Sequence, residues 1–137
     1  MQTTAPKLTA QHIVDLFTKH PEVGACRHTP CNLEGDKVKS ACASGIIALD
    51  AGLNIAQDRT FPKVAELFGI ADEEDVIGLA HGFDGRDLMS CCLYNQVSRD
   101  LYLIGREAAE LMNLPVPSLD TVLTYFKKYP CDATPSS

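Results

Sequence analysis

Apolar residues recur at helical spacing through most of this 137-residue chain. Ile13, Leu16 and Phe17 mark one face of a helix over Ala10–Lys19. Thr9 is placed to cap it, Leu8 and Ile13 have the spacing of a hydrophobic staple, and His20-Pro21 ends it. Residues 21–38 carry two prolines, two glycines and few apolar positions, and read as a long loop. A second helix is predicted over Lys39–Ala51, stopped by Gly52. It is rich in small residues (Ala41, Ser44, Gly45, Ala48), which let a neighbour approach closely and place it at the centre of the domain.

Four more helices and a connector follow the same logic. A short helix over Phe61–Phe68 has Thr60 as its cap, Pro62 in the first turn and Gly69 as its stop. A fourth runs from Glu73 to about Ala80, capped by Asp72 and ended by Gly82 and Gly85. A fifth spans Arg99–Asn113 behind Ser98, with Leu101, Ile104, Ala108 and Leu111 as its stripe and Gly105 beside Leu101 and Ala108. A glycine inside a helix costs about 1 kcal/mol against alanine, so Gly105 implies close packing. Leu114-Pro115-Val116-Pro117 reads as an extended connector. The sixth helix, Leu119–Tyr129, is capped by Ser118 and turns Val122, Tyr125, Phe126 and Tyr129 inward, leaving 130–137 as a tail. No strand-like alternation stands out. The expected fold is all-α: one compact domain, orthogonal or bundle-like, of five to six helices.

Charge narrows the function classes. The net charge is −6. It is distributed as +1 over residues 1–40, −5 over 41–75 and −2 over 76–137. No region has the basic footprint of a nucleic-acid binder or of a protein drawn to an anionic membrane. MQTTAPKLTAQH lacks the apolar core of a signal peptide, and no apolar run approaches a membrane span, so a soluble cytoplasmic protein is expected. Six cysteines in that compartment read as free thiols or metal ligands.

Three groups of residues are candidates for chemistry. Cys26, His28, Cys31 and Cys42 form a set of three thiols and one imidazole, which zinc accepts in tetrahedral array. The plain alternative is a small buried Cys42 and two incidental thiols. Cys91-Cys92 is a poor metal or disulfide pair, and His81 lacks a third group to orient it as the base of a cysteine nucleophile. The acidic run Asp72-Glu73-Glu74-Asp75 suits the start of its helix and also offers a charged face to a basic partner.

Two local resemblances complete the reading. Lys63–Gly82 resembles a helix-turn-helix, yet its second helix opens on four carboxylates that repel a phosphate backbone, so DNA is not an expected partner. Gly78, Gly82 and Gly85-Arg86, then Cys92 and Tyr94, then Gly105-Arg106-Glu107-Ala108, together resemble ribosome modulation factor over residues 78–112. That resemblance implies a closely packed helix pair and, functionally, association with ribosomes.

No enzymatic constellation emerges. The leading expectation is a small acidic helical protein of regulator or inhibitor type. It would act without a cofactor by binding another, basic protein through Asp72, Glu73, Glu74, Asp75, Arg86 and Arg106, and would self-associate as a homo-oligomer. The alternatives are a zinc- or thiol-dependent protein using the Cys26/His28/Cys31/Cys42 cluster, and a ribosome-associated factor.

Overall fold

The computed structural model describes residues 7–27, 31–35, 37–54, 59–90, 93 and 95–131. It is mostly helical, with a small three-stranded sheet beside the helices. The order is α1 (Ala10–Lys19), β1 (Gly24–Ala25), β2 (Cys31–Glu34), β3 (Lys37–Ala41), α2 (Ala43–Asp50), α3 (Thr60–Phe68), α4 (Ile77–Asp84), α5 (Gln96–Leu111) and α6 (Leu119–Lys128). Short 3₁₀ turns at Glu73–Val76 and Leu88–Ser90 lead into α4 and follow it. No helix among the described residues is long and apolar enough to cross a membrane.

The sheet corrects the all-α expectation and the long loop over 21–38. β3 is central, parallel to β1 and antiparallel to β2. Gly35, at φ +65°, turns the chain between β2 and β3, a left-handed conformation that glycine adopts without strain. Ala41 at the end of β3 is buried in the core, and Val38 packs half-buried against it. The expected second helix is shortened for the same reason. Ser40 and Ala41 pair with β1 and β2, and the helix begins only after Cys42.

The main core is built from Ile13, Phe17, Ile46, Val64, Leu79 and Phe83, with Phe17 stacked on Phe83 at 6.0 Å between ring centroids. Small-residue α2 lies inside it, with Ala43 through Ala48 buried. Its end has Gly52 at φ +90°, as expected.

The tightest contact is between α4 and α5. A methyl group at Gly78 would stand 2.0 Å from the Ser98 carbonyl oxygen, one at Gly82 2.1 Å from that of Tyr102, and one at Gly105 2.3 Å from that of Leu79. Gly82 therefore does not end its helix; α4 continues to Asp84 and stops at Gly85, φ +66°. Its start is also later than expected, because Glu73–Val76 form a 3₁₀ turn. That turn is capped by Asp72, whose carboxylate accepts the Glu74 N–H at 2.9 Å.

α5 begins at Gln96 rather than Arg99. Asn95 is its cap, and Ser98 closes a reciprocal capping box inside the first turn. Its buried face holds Tyr102, Gly105 and Ala109, while Leu111, expected inside, is exposed. α3 begins at Thr60 and has no side-chain cap. A second, smaller cluster of Leu88, Leu93, Tyr102 and Val122 attaches α6, with Tyr125 and Phe126 packed against it. Arg99 fixes that attachment: its guanidinium stacks 4.7 Å from the Phe126 ring centroid and donates to the Phe126 carbonyl at 3.3 Å. Tyr129, also expected inside, is half exposed.

Candidate functional site

The sheet brings the proposed thiol ligands together at the backbone level. Cys26 follows β1, and its N–H donates to the Ala41 carbonyl at 3.0 Å. Cys31 opens β2 and is paired in register with Ala41. Cys42 follows Ala41 directly and caps α2. Residues well separated in sequence thus meet at one end of a three-stranded sheet. His28 and the Cys31 side chain lie outside the described residues, as do Cys91, Cys92 and the tail beyond Cys131.

Cys42 is buried, and burial pushes its thiol pKa up. The Ser44 hydroxyl at 3.1 Å and the N–H groups of Ser44 and Gly45 act in the opposite direction. Cys26 is close enough that its charge would raise Cys42 further. Hydrogen-bond donors at a helix start favour a thiolate, and two neighbouring thiolates need a cation between them. The donor set is one that zinc accepts. Among the described residues, no group of three or more His, Cys, Asp or Glu side chains stands at metal-binding separation.

The acidic run lies elsewhere, on the far end of α4. Asp72, Glu74 and Asp75 rim a groove of about 460 Å³ whose apolar lining comes from Phe61 and Ile77. Three contacts give this groove a fixed frame. Asp72 caps the turn, Asp75 accepts from Asn95 at 2.9 Å, and Glu73 faces Arg59 at 3.6 Å. The groove therefore joins the start of α3, the 3₁₀ turn and the residue that caps α5.

The two arginines named with this acidic run are not part of it. Arg106 is buried on α5, with its Nε donating to the Pro117 carbonyl at 2.7 Å and its Nη atoms paired with Glu110 at 3.1 and 3.2 Å. It ties the 114–117 connector to α5 and presents no surface to a partner. Arg86 is exposed beyond the end of α4, 3.4 Å from His81 through Nη1. His81 is buried, and burial together with the Arg86 charge holds its pKa below the usual histidine range. His81, which the sequence offers as a base without a third group to orient it, lies at the covered end of α4 because α4 runs through Gly82.

Comparison with family models, with curated proteins and with solved structures finds no match.

Proposed function

We propose that this chain is a non-enzymatic binding module that takes a short basic and apolar segment of another protein into the groove beside the 3₁₀ turn. The carrying observation is the combination in one place of an acidic rim (Asp72, Glu74, Asp75) and an apolar lining (Phe61, Ile77). Lysine and arginine side chains suit such a site, since their aliphatic stems cover apolar surface while their charged ends meet carboxylates. The charge balance of −5 over residues 41–75 favours approach of a basic partner. Leu119 and Leu123, one turn apart and each about half exposed on α6, are where a second copy of the chain would pack.

Selection of random displayed peptides on the immobilised protein tests the reading. Recovered peptides should be enriched in Lys or Arg beside a large apolar residue. They should bind Glu74→Lys about tenfold more weakly, since that change replaces an attraction by a repulsion at an exposed rim. Recovery of acidic or purely apolar peptides, indifferent to Glu74→Lys, overturns it.

A second reading rests on the sheet. Convergence of Cys26, Cys31 and Cys42 on the end of β3 supports a zinc or thiol site there, completed by His28, that would clamp the sheet to α2. Ribosome association draws less support. Gly78, Gly82 and Gly105 of that resemblance are consumed by the α4–α5 contact, and Arg99 and Arg106 are buried, so Arg86 is the exposed guanidinium of residues 78–112.

A further inference from the structure

Two side chains keep buried polar atoms without a hydrogen-bond partner among the described residues: half-buried Arg27, through Nε and Nη2, and buried His81, through Nδ1. Buried polar groups in folded proteins are nearly always satisfied, so a cluster of orphans asks for a missing partner. The chemistry of the orphans is uniform. Nε–H and Nη2–H are the two parallel bonds along one edge of a guanidinium, the fork that matches two oxygens of a carboxylate or phosphate. Arg86 lies 3.4 Å from His81 Nε2 and can only donate, which leaves the ring proton on Nδ1. All three orphans are then donors.

They also share a place. His81 and Gly85 are one turn apart at the end of α4 and fall on one face. The Arg27 guanidinium lies beside Gly85: a methyl group there would stand 3.2 and 3.4 Å from its Nη1 and Nη2. Glycine at 85 is what allows this approach, since the Pro115 carbonyl closes the other side at 2.6 Å from the same point. Asp84 acts electrostatically on both Arg27 and His81, and Arg86 adds a second guanidinium at the exposed edge.

We infer that Arg27 and His81 form a receptor for a small oxyanion, with the guanidinium fork taking two oxygens and the His81 Nδ1–H a third. The shared ligand chemistry is that of phosphate and of carboxylate. This site lies at the opposite end of α4 from the acidic groove and is independent of it.

The test is a titration of the whole protein with inorganic phosphate and, separately, with acetate, at ionic strength held constant with chloride. Histidine-ring ¹⁵N signals and the melting temperature are followed together. Saturable phosphate binding that moves the His81 ring signal and raises the melting temperature supports a phosphate site. The same response to acetate alone, or to both, supports a carboxylate-accepting site. Arg27→Lys, which keeps the charge and removes the fork, should weaken binding at least tenfold. The inference is overturned if neither anion moves the His81 signal in the wild-type protein, as when water alone satisfies these donors. It is equally overturned if Arg27→Lys binds as tightly as wild type. The wild-type His81 signal decides the matter even where the variant folds poorly.

Discussion

Gly82 on α4 lies against Tyr102 on α5 so closely that a methyl group at 82 would stand 2.1 Å from the Tyr102 carbonyl oxygen. The obstacle is backbone, which cannot rotate aside as a side chain can. Gly82→Ala must therefore push the two helices apart and open the core around Leu79 and Phe83. A loss of about 3 kcal/mol, at the upper end for overpacking, is expected in urea unfolding. Gly24 provides the contrast. A methyl group there meets nothing nearer than 3.8 Å, and Gly24→Ala should change stability by no more than about 0.5 kcal/mol.

Arg106 and Glu110 form an ion pair whose two halves should behave differently. Arg106 is buried and also satisfies the Pro117 carbonyl, whereas the Glu110 side chain is 58% exposed. Arg106→Ala leaves the carbonyl without its donor and loosens the connector, at a cost of about 2–3 kcal/mol. Glu110→Gln should cost less than about 1 kcal/mol, as exposed pairs do. Hydrogen exchange of α6 amides should rise in the first variant and stay unchanged in the second.

This difference marks where the sequence was legible. The helices were, because their signals are local. Thr9 and Ser118 cap α1 and α6 as their positions suggest, and Asp72 caps the turn before α4. Gly105 inside a helix pointed to close packing, and it packs on the Leu79 carbonyl. The sheet was not legible. Asn32, Leu33 and Glu34 of β2 are all exposed, so the strand carries no alternation of buried and solvated residues and is held by backbone pairing. Gly82 was misread as a stop because a helix interrupted by glycine looks like a helix ended by one. The partner that justifies Gly82 is twenty residues away, at Tyr102. Arg27 carries no signal in the sequence for a related reason, since only the tertiary fold sets its guanidinium beside Gly85 at the end of α4.

Acidification should weaken the protein in two separate windows. Burial holds His81 below its ordinary value of 6.5, so the unfolded chain takes up a proton first as pH falls from there, and stability drops until His81 itself titrates. Hydrogen bonds from Lys19 and His20 hold Asp50 below 3.8, so its contribution, fully present above that value, is lost as pH falls through the lower folded value. Urea midpoints measured from pH 8 to pH 2 should fall in both windows. His81→Phe should remove the first step and Asp50→Asn should diminish the second.

The cysteine end of the sheet gives a sharp chemical expectation. If Cys26, His28, Cys31 and Cys42 hold zinc, the natively purified protein contains about one zinc per chain and these thiols are protected until a chelator is added. Cys42→Ala is then severe. If they are plain thiols, the protein is metal-free and buried Cys42, with its raised pKa, reacts only on unfolding. Cys42→Ala then costs about 1 kcal/mol, an ordinary point-mutant effect.

The central claim, that the groove rimmed by Asp72, Glu74 and Asp75 receives a basic segment, is tested most directly by mapping amide shifts during titration with a selected Lys/Arg-containing peptide. Shifts should concentrate on residues 59–61, 72–77 and 95, saturate together, and weaken as salt is raised. Saturable shifts centred on α6 or on the cysteine end of the sheet, or no saturable shifts at all, would contradict it.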